Sequence, residues 1–512
     1  MFSTVLSATL HGLCVDFVHV EADTSNGLPM FHMVGYLSSE VKEAGERVRT
    51  AIRNTGLNLP AKKIVVNLSP ANIRKRGTMF DLPIAVAILV SLGEISPGIL
   101  ENTLIVGELS LDGAVKDVPG ILPIVMEAKN KGCQICIVPK ENEKEGALVE
   151  GIQVIGVENL KEVCMILNGE KNVTRQKSEN SPVHVLEESS LDYSDIKGQK
   201  LAKRAVEIAV AGNHNILMIG PPGAGKSMIA KRIPTILPPL TLDESMELTR
   251  IYSIVGGLDK AAPLICKRPF REVHHSVTRS GLIGGGGVPK PGEISLSHKG
   301  VLFLDEIAEF QKYVLESLRQ PLESHHIKIL RERGEYDFPA EFLLVAAMNP
   351  CPCGNYPDLN KCTCATPQIK KYLGRLSQPF LDRIDLCVEV ERVQYQDLCD
   401  TEKPETSKEI QTRVLKAREI QQERYQGLDI STNAQLGAKE MKKYCHLGKK
   451  EEQVMRNAFE SMGMSARSYY KVLGVARTIA DLDGDEEIRM HHLKEALGYR
   501  MIDKKYWGRT KI

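Results

Sequence analysis

The sequence predicts an α/β protein with a parallel-sheet core, an α/β or α+β block before it and a helical block after it. Three observations carry that expectation. "GPPGAGKS", Gly220 to Ser227, lies where the apolar run "HNILMIG" passes into the helical run "MIAKRI". "VLFLDE" and "FLLVAAMNP" are apolar on both faces, as strands covered by helices on each side must be. From about residue 405, runs such as "KEIQTRVLKAREIQQERY" and "YKVLGVARTIADL" turn helical and charged.

Taken in order, residues 1–167 alternate strand-like runs ("KKIVVNL", "TLIVGEL", "CQICIVP") with helical ones ("EVKEAGERVRTAIRNTG", "DLPIAVAILVSLG"). Residues 168–190 are polar and lack apolar periodicity, which reads as a linker. Residues 191–395 hold the glycine-rich loop and the buried strands, and 396–512 form the helical block. A chain of 512 residues, 42% hydrophobic and 26% charged, fits several ordinary domains. The net charge of +1 excludes a general polycation but not a local basic channel. No apolar run reaches the ~18 residues of a membrane span, and the first residues lack a secretion-signal pattern, so a cytoplasmic protein with reduced thiols is expected.

The glycine-rich loop matches G-x-x-x-x-G-K-[ST] between strand and helix, the context that gives this motif its meaning. Gly220, Pro221, Pro222, Gly223, Ala224 and Gly225 would turn backbone N–H groups around phosphate oxygens at a helix N-terminus. Lys226 would reach the terminal phosphates of ATP, and Ser227 would ligate Mg²⁺. The buried strand "VLFL" then presents Asp305 to the metal and Glu306 to a water, which Glu306 would orient or deprotonate. "FLLVAAMNP" ends in Asn349, suited to positioning that water.

Phosphate loop, "LFLDE", strand-terminal Asn, "FLDRIDL" and a following helical block together resemble an AAA+ ATPase. "GGGGVPKPGEISLSHKGVLFLDE", "LRQPLE" and "VAAMNPCPCG" look like the branch related to magnesium-chelatase ATPase subunits and MCM helicases, and over the full length the chain resembles the YifB/ComM group. The resemblance implies that Arg383 is an arginine finger completing the site of a neighbouring subunit in a ring, usually a hexamer, the alternative being an arginine in a surface salt bridge. It implies that Arg467 is a second sensor on the helical lid touching the γ-phosphate, with Arg477 a weaker candidate.

Two insertions set this branch apart. "SGLIGGGGVPKPGE" cannot pack a core and suits a mobile loop or a close backbone approach. "SHHIKILRERGEYDFPAEF" alternates like a hairpin, with Lys328, Arg331 and Arg333 near its tip. In the resembled helicases such loops line a pore, where these cations would grip single-stranded or branched DNA; an ordinary solvated hairpin is the alternative.

Cys351, Cys353, Cys362 and Cys364 form two C-x-C pairs across a Gly/Pro/Asn loop and could close a structural Zn²⁺ site, the alternative being free thiols. His274 and His275, adjacent on an expected strand, would point to opposite faces and make no metal site. Cys133 and Cys136 read as small buried hydrophobes.

"RKRGTMFDLPIAVAIL" and "VGELSLDGAVKDVPGILP" make the first block similar to a Lon-type protease domain. Met79 or Phe80 stands where the resemblance would put a Ser nucleophile, and Leu122 lies near the place of the Lys base, so no proteolysis is expected. Arg74, Lys75 and Arg76 offer a nucleic-acid patch or a plain basic turn. The resemblance implies a bacterial ring-forming ATPase acting on DNA as a helicase or branch-migration factor in recombination or natural transformation. The alternatives are a chelatase-type or protein-remodelling ATPase.

Overall fold

A computed structural model describes residues 2–171, 191–331, 334–358, 360–395, 397 and 404–507. Arg333 and positions 172–190 of the expected linker lie outside them. The chain divides into two compact units: Met1–Val183 with Thr241–Cys266 and Leu330–Asp337, and His184–Leu240 with Lys267–Ile329 and Phe338–Ile512.

The first unit is built on a seven-stranded mixed sheet in the order Met30–Val34, Lys63–Ser69, Cys14–Ser25, Phe2–His11, Thr103–Ile105, Ile135–Pro139, Gln153–Val157. Its long central pair is antiparallel, from Phe2↔Asp23 to His11↔Cys14. Helix Ser39–Asn54 buries Val41, Ala44, Val48, Ala51 and Ile52, one stripe at helical spacing. Helix Asp81–Leu92 is apolar all round and buried along nearly its whole length, which makes it the core helix of this unit.

Residues 241–266, placed by sequence within the 191–395 block, pack instead with this first unit. Helix Leu242–Val255 starts at a Thr241–Glu244 capping box and stops at left-handed Gly256 (φ 69°). The Ser253 carbonyl accepts the Gly120 N–H (3.0 Å), and Ser253 Oγ donates to Glu145 Oε1 (2.5 Å). The same buried Glu145 oxygen accepts the Leu122 N–H (2.8 Å). Docking this helix thus satisfies polar groups that burial would otherwise penalise, a long-range match invisible to periodicity.

The second unit centres on five parallel strands in the order Phe270–Val273, Val301–Leu304, Leu343–Met348, Ile216–Ile219, Leu386–Glu389. The strand before the phosphate loop is therefore flanked by the fourth and fifth strands in chain order, not by the second. Ligand sites in open α/β sheets form at such a switch point, outside the carboxyl ends of the strands. The register brings those ends level: Ile219 pairs with Met348, and Leu304 with Ala346. Helices Ser407–Arg424, Lys449–Met462, Ala466–Asp483 and Met490–Trp507 make up the C-terminal helical part. No helix among the described residues is long and apolar enough to cross a membrane.

Candidate nucleotide-binding site

Three adjacent strand ends meet at one hollow bordered by Pro222 to Met228, Asp305, Glu306, Met348 and Asn349. The loop reaches this shape through its glycines. Gly223 and Gly225 are left-handed (φ 75° and 90°), where a side chain is strained, and a Cβ on Gly220 would lie 2.1 Å from the Val390 carbonyl oxygen. The loop then turns into helix Lys226–Arg232.

Lys226 is 8% exposed, and its ammonium donates to the carbonyls of Gly220 (2.7 Å) and Pro221 (3.0 Å) and to Asn349 Oδ1 (3.1 Å). Burial pulls it below its ordinary pKa, opposed by the carboxylates of Asp305 and Glu306. Ser227 Oγ donates to Asp305 Oδ2 (2.6 Å), so a hydroxyl and a carboxylate oxygen stand side by side. Such hard oxygen donors suit Mg²⁺, which keeps waters in its other positions. Glu306 is exposed and left-handed (φ 49°), with its N–H bonded to Asp305 Oδ1 (2.9 Å). A non-glycine residue held in that region stores strain of the kind that gathers at functional sites.

The two candidate arginines are placed differently. Neither borders this hollow. Both meet Glu323, Arg383 through Nη2 at 2.8 Å and Arg467 through its own Nη2. Arg467 therefore does not touch its own chain's phosphate site, as a sensor acting within one subunit would. The reason is geometric: helix Ala466–Asp483 packs against helix Lys200–Gly212 and carries Arg467 on its first turn to the Glu323 side. Arg477 is 2% exposed and spends its donors on Asp481 and the carbonyls of Asp485 and Glu486, a structural role.

The four cysteines converge. Sγ–Sγ distances are 3.4 Å for Cys351–Cys353, 3.8 Å for Cys351–Cys362 and 3.6 Å for Cys353–Cys362, and all four sulfurs, Cys364 included, lie within 4.8 Å of one another. Tetrahedral Zn–S bonds of 2.3 Å put sulfurs about 3.8 Å apart, so the set fits Zn²⁺. The Tyr356 N–H points at Cys351 Sγ (3.4 Å), and hydrogen bonding at the Asn355 backbone brings the Cys353 thiol down to about 5. The loop also touches the phosphate loop, since a Cβ on Gly354 would sit 2.3 Å from Pro222 Cδ.

Strands His326–Arg331 and Gly334–Pro339 pair as the expected hairpin, with Lys328 and Arg331 exposed on its first strand. Within the first unit the Tyr336 ring lies tilted against His11 (centroids 4.0 Å apart), so the returning strand is packed there. Of the four-glycine run, Gly284–Gly285 pairs with Lys290–Pro291 in a small antiparallel sheet. Of the basic triplet, Lys75 is fully buried against the Pro70 carbonyl and adds nothing to a surface patch, while Arg74, half-buried, lies over the Tyr36 ring and Arg76 is half-buried. His274 and His275 follow the strand instead of lying on it, ring centroids 4.0 Å apart, and are no part of a metal-ligand cluster among the described residues. Met79 and Leu122 are buried core residues.

Two features escaped sequence reasoning. Gln199 Nε2 donates to the Ala224 carbonyl (3.2 Å), which lays the segment Ile196–Gln199 beside the phosphate loop. Gly198 and Gln199, both left-handed, shape that approach, and "KGQK" before a helical run was its only signal. Glu323 lay in "LRQPLE" with nothing local to mark it.

Comparison with known proteins finds relatives along most of the chain. Family models described as "Magnesium chelatase, subunit ChlI", "Subunit ChlI of Mg-chelatase" and "Magnesium chelatase, subunit ChlI C-terminal" match residues 192–398, 20–142 and 404–500. The competence protein ComM of Haemophilus influenzae is 42% identical over 97% of both chains. The chain belongs to the YifB/ComM family. The YifB protein of Escherichia coli is 42% identical over 95% of this chain and 94% of its own, and Lon protease 2 of Bacillus subtilis is 28% identical over 29% and 25%. YifB/ComM membership makes this a magnesium chelatase-like AAA+ ATPase, for which ATP and Mg²⁺ are the implied nucleotide and ion. The expected fold class holds: a Lon-like first block, a parallel-sheet core and a helical C-terminal part.

Proposed function

We propose that this YifB/ComM protein is a cytoplasmic, ring-forming motor, a hexamer, that hydrolyses ATP to move on single-stranded or branched DNA. Its role would be helicase action or branch migration in recombination or natural transformation. The observation that carries the proposal is the pairing of Arg383 and Arg467 on Glu323, off the hollow that Lys226 and Ser227 border. Both arginines then serve the site of the next subunit, so hydrolysis requires a ring.

In that reading the amides of Gly223 to Ser227 and the Lys226 ammonium hold the phosphates, and Ile196–Gln199 borders the base end. Ser227 and Asp305 hold Mg²⁺, which when bound neutralises charge on the phosphate oxygens. Asn349 fixes the attacking water, and Glu306 orients it and takes its proton. The neighbour's Arg383 and Arg467 stabilise charge on the transferred phosphoryl. The four cysteines bind one structural Zn²⁺ that braces the loop after Asn349.

Support for DNA as the substrate comes from the exposed Lys328 and Arg331 of the hairpin and from the competence protein among the relatives. The test is ATP turnover with and without forked DNA over a salt series. Stimulation that fades steeply with salt supports the motor. Stimulation only by a protein partner favours the chelatase-type or protein-remodelling reading, to which the magnesium-chelatase family models point.

A further inference from the structure

Arg383 is caged. Its Nε donates to the Arg319 carbonyl (3.0 Å), its Nη1 to the Pro379 carbonyl, and its Nη2 pairs with Glu323 Oε1 (2.8 Å). Its side chain is 8% exposed, against 42% for Arg467, whose Nη2 meets the same carboxylate oxygen. A guanidinium is a flat fork with a fixed set of N–H donors, and carboxylate and phosphate compete for the same edge of that fork. In this arrangement Arg383 cannot present its Nη2 edge to a phosphate on another subunit until Glu323 lets go.

The position of Glu323 adds a second observation. It lies in helix Pro321–Ser324, which passes through left-handed His325 (φ 55°) straight into the hairpin strand that begins at His326. Lys328 of that strand borders the same hollow as Glu323, Arg319 and Arg383. Five positions of continuous backbone therefore separate Lys328 from the carboxylate that meets both arginines.

We propose that Glu323 is a positioning residue: a stand-in for the phosphate of the neighbouring subunit that keeps Arg383 and Arg467 withdrawn, and that releases them when DNA engages the hairpin. It acts through the two arginines that meet its carboxylate. The proposal rests on the reading that these arginines act across subunits, and it adds the device that makes hydrolysis depend on DNA.

The test uses the full chain, comparing wild type, Glu323→Gln, Glu323→Ala and Arg383→Ala by steady-state ATP turnover with and without forked DNA. Glu323→Gln should raise DNA-free kcat about three- to tenfold, the scale of one half-exposed charged hydrogen bond. KM should change less than kcat, since in the proposed reading the arginines act mainly on charge developing on the transferred phosphoryl. The stimulation ratio should shrink accordingly. Glu323→Ala, which also removes the hydrogen bond, should move the same way and guards against a local defect of the amide. If DNA-free turnover is flat or falls in both variants while Arg383→Ala is inactive, the latch is refuted and the trans-arginine reading stands. If Arg383→Ala turns over normally, that underlying reading fails and the latch with it.

Discussion

Lys226 Nζ lies 3.1 Å from Asn349 Oδ1, so the phosphate loop and the neighbouring strand end are tied together by one hydrogen bond. Asn349 thus holds the ammonium, and in the proposed mechanism it also faces the attacking water. Asn349→Ala should lower kcat by about 10- to 100-fold, as losing one positioned polar group does, with a smaller change in KM. Steady-state ATP kinetics on the purified protein checks both numbers.

Glu306 presents its carboxylate from a strained backbone position beside the Ser227–Asp305 pair. Glu306→Gln should retain ATP binding, measured with a fluorescent ATP analogue, and lose about 10²–10⁴ in kcat, the range of a general base. Equal loss of binding and turnover would mean a structural role instead.

Arg383→Ala should cost roughly 10³ or more in kcat. Because the arginine and the phosphate loop of one site come from different subunits in the proposed ring, mixing inactive Arg383→Ala with inactive Lys226→Ala protein should restore part of the turnover. Two defects confined to one subunit's site would give no such rescue.

The sulfur geometry predicts one Zn²⁺ per chain, measurable by elemental analysis and lost in Cys362→Ser. Because Gly354 rests on Pro222, removing the ion should also weaken ATP binding several-fold, read by analogue fluorescence without any turnover. A metal-free protein with unchanged nucleotide affinity would contradict both statements.

Replacing Lys328 and Arg331 together by Ala should weaken DNA binding uniformly across sequences and reduce the slope of log affinity against log salt by about 1–2. Binding measured by fluorescence anisotropy at several salt concentrations decides it.

His214 is fully buried against Thr478 Oγ1 (2.7 Å), and burial drops it from 6.5 to about 4. The folded chain keeps this ring neutral while the unfolded chain protonates it. Its contribution is therefore intact above about pH 6.5 and is lost as the pH falls towards 4, on the order of 3 kcal/mol in total. Urea midpoints at pH 7 and pH 4.5 should diverge less in His214→Gln than in wild type.

Much of this protein was legible from residue order because its signals are local. A phosphate loop is eight consecutive residues whose glycines and lysine act within one turn, and a buried parallel strand declares itself by apolar runs such as "VLFL" and "LLVAAM". Asp305 and Asn349 were readable because each directly follows such a run, and Glu306 because it follows Asp305. The four cysteines were readable by their spacing.

What folding alone decided depends on partners far apart in the chain. Helix Leu242–Val255 joins the first unit because Ser253 meets Gly120 and Glu145, more than a hundred residues away. Lys75 belongs to neither a basic patch nor a solvated turn because burial, which no charge pattern reports, put it against Pro70. Arg383 and Arg467 converge on one carboxylate although 84 positions separate them. Local sequence sets which backbone shapes and which chemical groups are available, since those follow from short-range sterics and side-chain chemistry. Which of those groups face each other is set by how the apolar faces pack, and that is a property of the whole chain.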